Sequence, residues 1–377
     1  MKALKLILII IMVLSCFSMV ACVEDANCDE GHDLNERCVC SRCNQVVHIM
    51  GSGCICQRCS VPNHTNENGV CTKCNKLLSI NGNIFTFGLY PQTKVTDTSL
   101  IDVLNQSAGE APSYSQKGDW VSYGYYKYGD MENDAWYIDK EYNGEKYRGV
   151  IFSDYRPYST INSGASSATY QDDNGYLEET VYWFKYEPIR WQVVKQSNGK
   201  ALAISELILD SQCFYTTIND IRNNGNQKIY ANNWEYSSLR QWLNSNFYNV
   251  AFNANQKNAI IAESLDNKTT AYDGSYNNYA NCQNNTTDNV FLLSYKDVTD
   301  TSLGFNSSNL CKWSTDYAKA QGLYSSPNVD YQGSWWLRSA DSDTSSMVTL
   351  VNPIGTTGSQ YVWTTSFGVV PAIIVNI

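Results

Sequence analysis

Glu187–Leu209 reads EPIRWQVVKQSNGKALAISELIL, and the fold turns on how it is taken. EPIRWQVV and KALAISELIL are rich in the branched and aromatic residues that suit a pleated, half-buried surface. The polar turn Ser197-Asn198-Gly199 stands between them. The stretch is therefore read as two strands joined by a turn.

The same logic extends outward. Upstream, Asn143-Gly144 separates YIDKEY from EKYRGVIF and signals a hairpin. IFTFGLY, Ile84–Tyr90, alternates like a strand and is expected to stop at Pro91. Downstream, SSLRQWLNSNFY reads as a helix capped by Ser237 or Ser238, with Leu239, Trp242, Leu243 and Phe247 on one face. NANQKNAIIAESL is expected to be a second helix, with Ala259, Ile260 and Leu265 inward. DNVFLLS is a short buried strand, and STDYAKAQG a short helix capped near Ser314 and ended by Gly322. SWWLRSA, MVTLVN, QYVWTT and FGVVPAIIVNI close the chain as strands. No helix–strand alternation of the doubly wound kind occurs, so the fold class is α+β, a mixed domain with a few short helices.

The chain has 377 residues, 43% hydrophobic and 17% charged, as globular protein does. Its formal charge of -10 argues against nucleic acid and anionic membrane surfaces, which require basic patches. MKALKLILIIIMVLSCFSMVAC, residues 1–22, reads as an export signal: Lys2 and Lys5, an apolar run from Leu6, then small residues up to Ala21. The boundary resembles a bacterial lipoprotein cleavage box, which implies lipid attachment at Cys22; Met19 departs from the usual leucine. A plain cleaved signal and an uncleaved anchor are the alternatives, and all three readings put the rest outside the cytoplasm, membrane-anchored at the cell surface or secreted.

Residues 23–76 form a Cys/His repeat. His32, His48 and His64 recur every sixteen residues, and the cysteines keep the same period. One unit is Cys40, Cys43, His48, Cys54; the next is Cys56, Cys59, His64, Cys71; a degenerate earlier unit holds Cys28, His32 and Cys38, and Cys74 is left over. Two thiolates on a tight turn, completed by a His and a Cys, make a closed tetrahedral zinc site of structural type. The spacing is similar to zinc knuckles and zinc ribbons, and pairings such as Cys40/Cys43 with Cys56/Cys59 are open as well. Disulfides are the alternative for an exported segment. An odd cysteine count and three His in register favour zinc.

After residue 76 the composition changes. FGLYPQ, YRGVIFSDYRPY, VYWFKYEPIRWQVV, SSLRQWLNSNFYNVAF, NVFLLSYKDV, SWWLRSA and FGVVPAI follow in order. In these runs residues 84–377 resemble a bacterial family catalogued as domain of unknown function 6273, which implies no activity. The order of the closing strands is similar to C-type-lectin-like folds, including sulfatase-modifying enzymes. Those enzymes use a cysteine pair near the C-terminus; here no cysteine follows Cys311, so that activity is not carried over.

No His follows His64, which excludes a Ser-His-Asp or Cys-His site in the large domain. Glu178/Glu179, Asp172/Asp173 and Asp341/Asp343 are paired carboxylates of the kind glycoside hydrolysis uses, and equally of the kind found in solvated loops. Asp341-x-Asp343 lacks the glycine and closing Glu of the familiar calcium loop, so calcium is disfavoured. Trp335, Trp336 and Arg338 have two readings: a platform that stacks and hydrogen-bonds a sugar or carboxylate, or core residues with the Arg paired to an acid. Tyr123, Tyr125, Tyr126, Tyr128 and Tyr137 offer another binding surface. The sequence thus points to an exported, surface-tethered recognition protein for a glycan or protein, more readily than to a carboxylate enzyme acting on carbohydrate or to a purely structural surface protein.

Overall fold

In the computed structural model Asn198 and Gly199 take positive φ, 52° and 72°. This is the left-handed pair that a two-residue hairpin turn demands and that Asn and Gly tolerate. Asn143 and Gly144 do the same, at 51° and 78°. The structure describes residues 66–112, 118–123, 127–128, 131–132, 135–152, 176–177, 180–216, 221–225, 227–267, 283–326, 332–364 and 367–377. The chain divides into two units, Met1–Thr65 with Thr72–Cys74, and Asn66–Cys71 with Asn75–Ile377. Nearly all the described residues belong to the second unit.

Its principal elements are, in chain order, β1 (Ile84–Lys94), α1 (Thr98–Ala108), β2 (Val121–Ser122), β3 (Ala135–Tyr142), β4 (Glu145–Phe152), β5 (Tyr182–Ser197), β6 (Lys200–Ser205), β7 (Asp210–Ser211), α2 (Ser238–Trp242), α3 (Tyr248–Ala251), α4 (Ala254–Ala259), β8 (Val290–Phe291), α5 (Tyr295–Thr299), α6 (Asp316–Ala320), β9 (Trp335–Ala340), β10 (Met347–Val351), β11 (Thr357–Tyr361), β12 (Gly368–Val369) and β13 (Ala372–Asn376). One sheet runs β8-β13-β6-β5-β4-β3-β2, with β1 also paired to β5. A second runs β7-β12-β9-β10-β11. Pairing is antiparallel throughout these sheets except between β9 and β12, which meet in parallel at Trp335 and Gly368. The unit is sheet-rich with short helices, an α+β arrangement.

Strand alternation sorts the side chains of the first sheet into two cores. Ile151 and Trp183 join Trp120, Trp136, Ile138 and Leu104 of α1 in a small cluster. Their chain neighbours Val150 and Phe184 belong to the large cluster, with Phe87, Trp191, Phe252, Trp335 and Trp336. Burial of each such side chain contributes about 1.5–3 kcal/mol. Gly149 is part of this economy of space: a Cβ there would lie 2.9 Å from the Trp183 ring.

The chain passes between the sheets twice, side by side. After β6 it runs through Leu207–Leu209 into β7, and after β12 it runs through Val370-Pro371 into β13. Leu209 N donates to Val369 O and Ser205 N to Pro371 O, which stitches the two passages together. Asp210 therefore emerges at the seam between sheets, in the interior.

Several expectations are corrected. β1 continues through Pro91 to Lys94, because among the described strands β1 pairs only with β5 and its register shifts between Pro91 and Thr93; a proline costs no ladder bond at such an irregular edge. The second helix is only Ala254–Ala259, and Glu263–Leu265 is a short strand. Ile260 bridges Val375 of β13, and that pairing overrides the helical pattern. Ala259, Ile260 and Leu265 are nonetheless buried. The cap of α6 is Thr315, whose hydroxyl accepts from Ala318 N. β11 starts at Thr357 and ends at Tyr361, earlier than QYVWTT suggests. Ser237 caps α2 as expected, but the helix widens to a π-helix at Leu243–Phe247 before α3. Among the described residues no helix is long and apolar enough to cross a membrane.

Candidate functional site

Asp210, at the seam, is 2% exposed. Its Oδ2 accepts from the Tyr90 hydroxyl of β1 at 2.5 Å; its Oδ1 accepts from Ser211 N at 2.7 Å and Gln212 Nε2 at 3.0 Å. Burial pushes its carboxyl up to about 6, against the pull of these donors. Burial, then the Asp210 charge, raises the Tyr90 phenol in turn.

Beside it stands Arg148 of β4, directly across the strand pair from Asp139 of β3. The guanidinium forks onto that carboxylate, Nε to Oδ1 at 2.8 Å and Nη2 to Oδ2 at 2.9 Å. Tyr186 also donates to Asp139 Oδ2, at 2.9 Å. Burial alone would raise the Asp139 carboxyl, but Arg148 outweighs it and holds it below the usual range. Arg148 lies 4.2 Å from the Tyr137 ring centroid, and its Nη1 donates to the Tyr317 hydroxyl at 3.3 Å. The Tyr317 and Tyr123 hydroxyls share a hydrogen bond of 2.8 Å, and Gln321 Nε2 donates to Tyr123 at 3.0 Å. Four separate elements thus converge on one polar network.

Two adjoining cavities open against this network. The smaller, about 100 Å³, is lined by Tyr90, Val121, Ser122, Tyr123, Tyr137, Arg148, Asp210, Trp242, Asn246, Phe247, Val250 and Tyr317. The larger is a cleft of about 410 Å³ lined by Ser122, Tyr123, Gln212, Cys213, Thr216, Ser238, Leu239, Gln241, Trp242, Ser245 and Asn246. Ser122, Tyr123, Trp242 and Asn246 border both. Among the described residues no carboxylate, Lys or Arg lines the cleft, and burial pushes the Cys213 thiol up to about 12, so it stays neutral.

The π segment shapes the wall. A π turn leaves carbonyls out of the ordinary ladder, and side chains take them up: Ser245 Oγ donates to Gln241 O at 2.6 Å and Asn244 Nδ2 to Arg240 O at 3.1 Å. The widened turn keeps Leu243 and Phe247 in the core while Gln241 and Asn246 remain exposed at the cleft.

Of the residues singled out in the sequence, Tyr123 and Tyr137 are in the network. Tyr125, Tyr126 and the Tyr128 side chain lie outside what is described, as do Asp172, Asp173, Glu178 and Glu179. So do Cys22, Cys28, His32, Cys38, Cys40, Cys43, His48, Cys54, Cys56, Cys59 and His64. Cys71 is buried in a short strand and Cys74 is half-buried. Among the described residues no group of three or more His, Cys, Asp or Glu is arranged to hold a metal.

Trp335, Trp336 and Arg338 do not form a platform; they are in the core. Both indoles are fully buried and donate to backbone, to Leu310 O at 3.0 Å and Gln212 O at 2.8 Å. Arg338 donates to Leu292 O and Asp297 Oδ2, each at 2.8 Å. β9 is covered on both faces, which strand alternation alone does not reveal. Asp341 Oδ1 accepts from Asp343 N and Thr344 N, both 2.9 Å, and so closes its own turn.

Residues 198–377 match the model of the family described as domain of unknown function (DUF6273). The DUF6273 match begins at Asn198, in the turn between β5 and β6, and takes in Asp210, Trp242, Asn246 and Tyr317. Tyr90, Tyr123, Tyr137 and Arg148 precede it, so the cavities are lined from both the matched and the preceding part. No curated protein and no solved structure matches the chain.

Proposed function

We propose that this chain is an exported, surface-tethered recognition protein whose cleft binds a neutral glycan. One observation carries the reading: the described lining of the larger cleft combines hydroxyls and amides with the rings of Trp242 and Tyr123, and no ionised group is among those residues. Sugars present many hydroxyls and apolar ring faces, which such walls complement. An acidic or basic peptide would find no counter-charge among the described lining residues. The order of the closing strands β9 to β13 supports a C-type-lectin-like layout. The leader and Cys22 supply export and a lipid tether, and zinc held by the Cys/His units stabilises 23–76 as a spacer. Calorimetric titration with neutral oligosaccharides tests the cleft: saturable binding weakened by Gln241→Ala supports it, and binding indifferent to that change sinks it. Zinc measured on the purified full chain, lost on Cys40→Ser or His48→Ala, tests the spacer; zinc-free protein with blocked thiols would contradict it.

A second reading has its own observation. A buried carboxyl near 6, as at Asp210, suits a general acid of glycoside hydrolysis. It is the only carboxylate lining either cavity among the described residues, whereas hydrolysis ordinarily needs a pair. Turnover of a bound oligosaccharide, abolished by Asp210→Asn while binding persists, would establish this reading over the first.

A further inference from the structure

The smaller cavity sets narrower demands than the cleft. Its volume, about 100 Å³, suits a few waters or one small substituent. Arg148 stands against a cation entering it and Asp210 against an anion. Neither is an idle counter-charge, since Arg148 is forked onto Asp139 and Asp210 accepts from Tyr90, Ser211 and Gln212. A neutral dipolar group is what these walls accept with least loss. Phe247 and Val250 offer apolar surface. Each Nη of Arg148 carries a proton beyond those given to Asp139 and Tyr317, and the Asn246 amide lies at the border with the cleft. A hydroxyl would satisfy the polar groups and leave the apolar surface against water. An acetamido group meets both, its carbonyl oxygen accepting and its methyl packing.

Resting on the glycan reading of the cleft, we propose that this compartment receives the N-acetyl group of an aminosugar whose ring lies along Trp242. Trp242 and Asn246 border both cavities, so a ring in the cleft can direct one substituent inward. The ligand class is thereby narrowed to N-acetylated hexosamine oligomers.

Isothermal titration of the full chain separates the two proposals. The probes are a β-1,4 tetramer of N-acetylglucosamine, its deacetylated form and the corresponding glucose tetramer. One buried methyl and one hydrogen bond predict a preference of about tenfold or more for the acetylated form. Val250→Phe, which fills the compartment, is expected to bring that preference close to unity while affinity for the glucose tetramer stays. Asn246→Ala, at an exposed position that folding tolerates, is expected to reduce the preference several-fold. Equal affinity for acetylated and glucose tetramers overturns the N-acetyl inference and leaves the glycan reading standing. A preference unmoved by either variant overturns its placement. No binding of any of the three overturns both.

Discussion

Arg148 and Arg338 are both buried strand arginines paired with a carboxylate, and they serve different ends. Arg338 joins β9 to α5: Asp297, its partner, also accepts from Ser294 N and Oγ in the capping box of that helix. Everything else on β9 is packed, including both tryptophans. Arg148 forks onto Asp139 through two bonds where Arg338 gives Asp297 one, and it borders a cavity and a chain of phenols. The contrast teaches that a buried ion pair marks a site only where packing leaves room beside it. Arg338 sits next to two tryptophans in sequence and is scaffold. Arg148 sits in the unremarkable run EKYRGVIF and faces the cavity.

The largest effect should come from the scaffold arginine. Arg338→Ala leaves the Asp297 carboxylate without its cation and is expected to cost about 3–5 kcal/mol, read from denaturant midpoints. A loss within about 0.5 kcal/mol would erase the contrast.

Next is the pH dependence of Asp210. Its folded carboxyl is raised from 3.8 to about 6, so the folded state holds the proton more tightly than the unfolded chain does. The stability this contributes is full below pH 4 and lost as pH rises toward 6, a decline of about 3 kcal/mol. Asp297, held low by Arg338 against the opposing effect of burial, and Asp139 act in the reverse sense, losing stability as pH falls. Comparing wild type with Asp210→Asn across pH 4–7 isolates the first term. A difference that does not change with pH would contradict the assignment.

Asn198→Ala should cost about 1 kcal/mol, because alanine at φ 52° loses the tolerance for left-handed backbone that Asn has. Thermal melts check this, and they test the turn without touching either arginine. Asn246→Ala is expected to change stability by less than about 0.5 kcal/mol, since the residue is exposed. That neutrality makes it a clean probe of binding.

Local signals were legible in the sequence and convergence was not. Asn143-Gly144 and Asn198-Gly199 declared their hairpins because turn chemistry is decided by two residues. The apolar face of the helix at Leu239, Trp242, Leu243 and Phe247 was equally plain. The π turn within it was not, since it depends on Ser245 and Asn244 taking up carbonyls. Helix period also misled at Ile260, where a bridge to Val375, far along the chain, decided the conformation. Tyr90 and Asp210 meet across 120 residues, and Tyr123 and Tyr317 across 194. One signal was available: Asp210 directly follows the apolar run Leu207-Ile208-Leu209, where a carboxylate is expected to be buried only with partners. The phenol-rich run contributes Tyr123 and Tyr137 to the lining of the smaller cavity, and nothing in it indicates Arg148.

The central claim is that the Trp242–Asn246 cleft holds a neutral glycan. Its most direct test is titration of neutral oligosaccharides into the full chain and into a Gln241→Ala, Asn246→Ala double variant of unchanged melting temperature. Saturable binding to the parent, weakened by about tenfold or more in the variant as two lost hydrogen bonds require, is the predicted result. Equal affinity in both proteins, or no binding to either, would contradict it.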